Sequence, residues 1–269
     1  MLKNLPLKFD KIWGYEIWFA STHPNGCQKE LKDFVKGDYP LLGKVIQANE
    51  ALSIQVHPDD DFAGTVEHCR GKNECWYILE AQPGAKLVYG IDENTSDEEI
   101  KSAVKDGTLE KYLKYVEVKK GDLVYIPAGT VHAIGGGLRL LEIQQSSDIT
   151  YRLYDYNRGR ECHVEKAVKC LNRKIPEKIM QLTDTFECPY FSLEKINMEK
   201  NQNVKAVCAK KSDNPGNYVL FFVTEGNFTV NGKTFFTEES FTAFPGEELN
   251  IEVLSETGSI IKIVCKTEC

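Results

Sequence analysis

Five histidines occur in this chain, His23, His57, His68, His132 and His163, and none follows residue 163. Two of them sit among residue types that can share a metal ion. In LSIQVHPDD (52–60), Gln55 and His57 stand two apart in a β-rich run, so strand alternation aims both side chains at one face. In GKNECWY (71–77), Lys72 and Glu74 share a face in the same way. In GDLVYIPAGTVH (121–132), a strand enters a turn made by Pro127 and Gly129 and returns on a strand carrying His132. Two imidazoles, a carboxylate and an amide oxygen suit a borderline divalent ion such as zinc. Such an ion stabilises negative charge that develops on oxygen atoms beside it.

These side chains need strands to hold them, and strand signals dominate. Leu41–Gln47, Leu52–His57, Glu74–Leu79, Ala85–Tyr89, Leu123–Ile126 and Leu138–Gln145 are short β-rich runs, most of them separated by Gly, Pro, Asn or Asp. Helical patterning is confined to Asp59–His68, a helix capped by Ser96 with Glu99 completing a capping box, Leu109–Tyr115, and Val164–Leu171. After about Pro176 the texture is again β. Tyr218–Thr224, Phe228–Val230 and Thr234–Phe236 form a meander with an Asn231-Gly232 hairpin turn, followed by Leu249–Leu254 and Ser259–Val264. Many short strands with inserted helices indicate an all-β sandwich or barrel. A boundary is expected around 172–185, giving a domain at 1–175 that holds every histidine and a smaller one at 176–269 that holds none.

Composition sets limits on function. The chain has 269 residues, 42 % apolar and 27 % charged, which provides for a core and excludes disorder. The 33 basic and 40 acidic residues leave a net charge of −7, with no basic run to serve as a nucleic-acid footprint. An anionic ligand would therefore need a local cluster of Lys and Arg. No apolar run approaches the ~20 residues of a membrane span, and the N-terminus has no signal-peptide core, so a cytoplasmic protein is expected. The nine cysteines are odd in number and form no CxxC pair, as for free thiols in a reducing compartment.

The G-x5-P-x-G-x2-H pattern ending at His132 resembles the second motif of the cupins, small jelly-roll barrels that hold a metal at their mouth. The wider set LSIQVHPDD, GKNECWYIL, GDLVYIPAGTVHAIGGG and LLEIQQSSDITYRLYDYNR resembles type I mannose-6-phosphate isomerases in their short bacterial form, over residues 1 to about 175. The resemblance implies two cupin-type jelly-roll barrels with short helical insertions. It places Gln55, His57, Glu74 and His132 as ligands of one zinc ion per chain, other divalent metals being possible. Arg152 corresponds to the family's active-site arginine, Ser53 and Lys72 to positions lining a sugar-phosphate pocket, and Glu142 and Asp148 to acids near the same cavity. Asn73 stands where the long forms carry proline, and their helical insertion domain is absent. The segment SFTAFPGEE (240–248) echoes the Pro127 turn without a histidine, which reads as a degenerate second jelly roll without metal.

The implied reaction interconverts mannose 6-phosphate and fructose 6-phosphate by moving a proton between C1 and C2 through a cis-enediol. The site must stabilise charge on O1 and O2, which the ion and the guanidinium of Arg152 can do, and Arg152 can also engage phosphate bidentately. The proton shuttle is open among Glu142, Lys72 and a water at the ion. Two other functions fit the motifs: a non-catalytic sugar-binding cupin, and a cupin isomerase or epimerase acting on another sugar phosphate. The expected partner is a small sugar phosphate, with no nucleic acid and no membrane, acting on a monomer or homodimer. His23 and His163 read as surface residues and His68 as solvated. Cys75 reads as a buried thiol on the face opposite Glu74, and Trp13, Trp18 and Trp76 as core.

Overall fold

A computed structural model describes residues 1–174, 179–207 and 214–266. The expected boundary at 175/176 lies outside the described residues, as do Cys208 and Cys269. The described residues are mostly β, in four antiparallel sheets. The chain divides into two compact units, one of residues 9–16 and 45–181, the other of 1–8, 17–44 and 182–269.

The 45–181 unit carries every candidate site residue. Its five-stranded sheet has the order Tyr151–Tyr154, Ile54–Val56, His132–Ile134, Lys86–Ile91, Leu113–Glu117. The second sheet runs Ile179–Gln181, Asp122–Ile126, Glu74–Ala81, Leu138–Gln145 and continues through 45–48, 14–16 and 9–11. The two share one core: Leu87, Tyr89 and Ile134 from the first meet Trp76, Ile78, Val124, Ile126 and Leu140 from the second. The alternate residues of the first sheet, Ile54, Val56, Val88, Ala133, Tyr151 and Leu153, pack on its other face against Ile100, Ala103, Ala167 and Val168 of two helices. That sheet is therefore buried on both faces, so its polar residues at alternate positions point into protein.

The helices arise where the sequence places their caps. Asp97–Lys105 starts at a full capping box, Ser96 Oγ accepting from the Glu99 N–H at 3.2 Å and Glu99 Oε2 accepting from the Ser96 N–H at 2.8 Å. Asp60–Val66 is capped by Asp59, which accepts from the Phe62 N–H, and Val164–Cys170 forms as expected. The Leu109–Tyr115 helix does not form as read. Only Leu109–Tyr112 turns, as a 3-10 segment, and Leu113–Glu117 is a strand pairing Lys86–Ile91. Tyr115 and Val116 favour a ladder, and pairing Val116 with Leu87 places that side chain against the core.

The other unit has a six-stranded sheet, Leu2–Lys3, Ser240–Ala243, Val219–Glu225, Thr257–Cys265, Phe191–Glu199, Thr185–Glu187, and a four-stranded one, Asn203–Val207, Glu248–Val253, Phe228–Val230, Lys233–Phe235. Its core holds Phe221, Phe228, Phe235, Phe241, Ile251 and Ile260. Asn231 and Gly232, both at positive φ, make the expected hairpin turn. Its composition was not foreseen, because N-terminal segments belong to it. Leu2 pairs with Thr242, the Asn4 amide donates to Ser240 Oγ, and the Phe19 ring lies 4.7 Å from that of Phe222. Among the described residues no helix is long and apolar enough to cross a membrane.

Candidate metal centre

Register across the five-stranded sheet places four side chains in one row. Arg152 pairs with Gln55, Gln55 with His132, and His132 with Tyr89. Directly opposed residues of an antiparallel pair share a face, and Tyr89 lies in the core between the sheets, so the row faces inward. Glu74 begins its strand opposite Gln144 on one side and Ile126 on the other, and shares its face with Trp76 and Ile78. Cys75 is fully buried on the opposite face, as alternation requires.

His57, Glu74 and His132 converge, one ligand atom from each lying within 4.8 Å of the others, and all three are buried. His57 Nε2 is 3.5 Å from Glu74 Oε2, and His132 Nε2 is 3.5 Å from Glu74 Oε1. Bonds of about 2.1 Å in a tetrahedral zinc site set neighbouring ligand atoms about 3.4 Å apart; each imidazole stands at about that distance from its own oxygen of Glu74, and the donor types suit such an ion. His132 Nδ1 lies 2.9 Å from the Thr130 carbonyl, which can only accept, so the proton sits on Nδ1 and Nε2 carries the lone pair. Burial pushes the His132 imidazole down to about 4, so it is neutral at pH 7, the state a ligand requires. Gln55 Nε2 stands 3.2 Å from His132 Nε2, with Oε1 turned toward the Ser53 hydroxyl at 3.5 Å.

Lys72 is buried beside these groups. Its Nζ lies 2.9 Å from Glu74 Oε2 and 3.2 Å from His57 Nε2. Its position comes from a tight approach of backbones: a Cβ on Gly71 would stand 2.3 Å from the Asp59 carbonyl carbon, and the Lys72 N–H bonds the Pro58 carbonyl. Glu142 is buried on the same interior, one oxygen accepting from Trp76 Nε1 at 3.0 Å. Trp76 is thus core, as expected, and also holds an acid; its ring edge meets His132 with centroids 5.5 Å apart.

The other candidates are placed differently. Arg152 is in register with Gln55, and its guanidinium donates to the Glu161 carbonyl at 2.7 Å. Burial, with Arg160 beside it, lowers the Arg152 pKa from its usual value. Asp148 is exposed, away from the interior on which Glu142 lies. His68 is exposed at φ +55°, consistent with a solvated role, and His163 is half-buried, its Nδ1 accepting from the Arg152 N–H. Two residues next to the site escaped sequence reading. Gln144, fully buried opposite Glu74, is two residues from Glu142, and the same alternation identifies it. Gln145 faces the other way and bonds Asn73, which no local pattern shows.

Fold and site together define a β-sheet protein with an interior His-Glu-His cluster of a kind that could hold a metal ion. Residues 19–84 match the family model of the phosphomannose isomerase type I catalytic domain. The mannose-6-phosphate isomerase ManA of Bacillus subtilis is 41 % identical over 208 residues, 71 % of this chain and 64 % of that protein. The mannose-6-phosphate isomerase of Streptococcus mutans is 39 % identical over 195 residues, 60 % of this chain and 61 % of that protein. The chain thus spans less than two thirds of the length of these curated relatives. A solved structure of the mannose 6-phosphate isomerase from Bacillus subtilis superposes with a TM-score of 0.79 at 25 % identity, covering 97 % of this chain and 98 % of that one. The resemblance to type I mannose-6-phosphate isomerases read from the motifs holds in family model, sequence and structure.

Proposed function

We propose that this chain is an aldose–ketose isomerase acting on mannose 6-phosphate and fructose 6-phosphate, with one zinc ion held by His57, Glu74, His132 and Gln55. The carrying observation is the buried convergence of two imidazoles on both oxygens of Glu74, with Lys72 against the same carboxylate. The neutral Nε2-unprotonated form of His132 supports the ligand set. Gln55 completes it by turning its amide so that Oε1 replaces Nε2 toward His132. Bound zinc would supply positive charge next to the sugar oxygens where the enediolate forms.

The remaining work falls to side chains. Lys72 places an N–H donor beside the ligand cluster, where it stabilises charge on O1 or O2. Ser53 binds and orients a sugar hydroxyl. Glu142, held by Trp76, moves the proton between C1 and C2. Arg152 closes the row next to Gln55 and engages the substrate's negative charge. The proposed catalytic domain is 1–175. Residues 176–269 make a degenerate cupin-like jelly roll without metal, a reading that rests on the lack of any histidine after His163 in the sequence.

The test is a coupled assay of fructose 6-phosphate formation from mannose 6-phosphate before and after chelation. Activity that chelation abolishes and zinc restores supports the reading. Zinc binding without turnover of either sugar phosphate overturns it.

A further inference from the structure

Between the metal ligands lies a buried amide network that touches neither the cluster nor the proposed substrate groups. Asn73 sits between Lys72 and Glu74 in sequence, and its side chain bonds Gln145, Ala128 and Tyr125. Its Nδ2 donates to Gln145 Oε1 at 2.8 Å, and its backbone N–H donates to the same oxygen at 2.9 Å. In return the Gln145 N–H donates to the Asn73 carbonyl at 3.1 Å. Asn73 Oδ1 accepts from the Ala128 N–H at 2.9 Å and from the Tyr125 hydroxyl at 3.4 Å. Gln145 Nε2 donates to the Asp60 carboxylate at 3.1 and 3.2 Å, and the Gly71 N–H donates to Asp60 Oδ1 at 2.8 Å.

Each contact lands on a segment that carries a ligand. Residues 71–73 precede the regular ladder that starts at Glu74, so Gln145 Oε1 takes the place of a strand carbonyl for the Asn73 N–H. Ala128 belongs to the Pro127–Gly129 turn, whose Gly129 N–H bonds the His57 carbonyl and which leads to His132. Asp60 opens the helix just after His57 and Pro58. One amide pair thus joins the segments of His57, Glu74 and His132 from behind. Asn73 and Gln145 are 4 % and 0 % exposed, so losing either partner leaves unpaired polar groups in the interior, which is costly enough to move the backbone.

We propose that Asn73 and Gln145 are positioning residues that hold the backbone at 72–74 against the 127–130 turn, so that Lys72, Glu74 and His132 meet at the right separation. The proposal rests on the isomerase reading only for its activity arm.

The experiment measures zinc affinity by chelator competition, kcat and KM, and Tm for Asn73→Ala, Gln145→Ala and the double variant, well below each Tm. Zinc binding is expected to weaken 10–100-fold in each single variant, as for other residues supporting metal ligands, with kcat falling more than KM rises. The double variant should lose clearly less than the two singles combined, because both break the Asn73–Gln145 link, while each residue also makes its own contact, to Ala128 and to Asp60. Zinc affinity within twofold of wild type in folded single variants, or full additivity in the double, overturns the proposal. If the alanine variants fail to fold, Asn73→Asp keeps the acceptor for Ala128 and loses the donor to Gln145, and the same zinc criterion decides. Should the wild type bind zinc but not isomerise, the isomerase reading fails while the zinc arm still decides this one.

Discussion

Lys72 Nζ lies 2.9 Å from Glu74 Oε2, so the carboxylate at the centre of the ligand cluster already carries a cationic partner. A divalent ion at the same carboxylate would meet that charge at close range in a low-dielectric interior. Metal and lysine therefore oppose each other there, and the opposition separates binding from chemistry.

Lys72→Met removes the opposing charge and keeps the bulk of the stem. Zinc should bind at least as tightly as in wild type, while turnover falls by about 10²-fold or more, as expected for loss of a group that acts on developing charge. Parallel loss of zinc and activity in the folded variant would assign Lys72 to ligand support instead.

His132 gives the site a pH signature. Its folded pKa of about 4 lies below the usual 6.5, so between these values the unfolded chain binds the extra proton and the folded chain does not. Stability of the zinc-free protein from this group is full above about pH 6.5 and is lost as pH falls toward 4, a loss of a few kcal/mol. Thermal melts of chelated protein across that window should show Tm rising with pH. His132→Asn should flatten that part of the profile; an unchanged slope would assign it to other groups.

How far the site was legible follows from strand alternation. Gln55 with His57, and Lys72 with Glu74, were paired by spacing two, and the structure gives Cys75 the opposite face for the same reason. Alternation does not say which strands are neighbours. That Arg152 is in register with Gln55, and that its guanidinium turns to the Glu161 carbonyl, depends on sheet order and on a loop. The same gap explains the two units. Leu2–Lys3 and Val219–Glu225 both flank Ser240–Ala243, and the Phe19 ring lies against Phe222, neighbourhoods with no local signature. At Leu109–Tyr115 the error was one of period, a helical start overridden by ladder pairing at Leu113.

Trp76→Phe tests whether Glu142 needs its anchor. The change removes the Nε1–H that bonds Glu142 at 3.0 Å and leaves a buried carboxylate oxygen short of a donor. Turnover should fall about tenfold or more with zinc content kept, and Glu142→Gln should fall further, by 10²–10⁴-fold if it carries the proton. Glu142→Gln with near-normal kcat would remove it from proton transfer.

Arg152→Ala separates charge stabilisation from a structural tie. The guanidinium's hydrogen bond to the Glu161 carbonyl is a single contact at a half-buried position, so its loss should cost little stability. Turnover should drop far more than zinc content, and Arg152→Lys should restore little of it, because a lysine cannot reproduce the planar fork. Near-normal kcat in Arg152→Ala, alongside a lowered Tm, would make the residue a tie between the Tyr151–Tyr154 strand and the loop that follows.

Truncation after Gln181 asks what the histidine-free part supports. The fragment 1–181 keeps the whole unit with the candidate metal centre but only the segments 1–8 and 17–44 of the other. Those segments then lose their partners: Leu2–Lys3 its pairing with Ser240–Ala243, Phe19 its ring contact with Phe222, and Phe34 its contacts with Tyr218 and Phe244. Phe19, Leu31, Val35 and Tyr39 are each at most 2 % exposed in the full chain, and such side chains return to water when what they pack on is removed. Each is worth about 1.5–3 kcal/mol of burial, and an exposed apolar patch of that kind drives association. The fragment should be scarce in the soluble fraction and run as aggregates on size exclusion, whether or not zinc is supplied. If it is instead monodisperse and binds one zinc per chain with wild-type turnover, the segment 182–269 is dispensable to the site. A monodisperse, zinc-bound fragment with a raised KM alone would give 182–269 a part in holding the sugar phosphate.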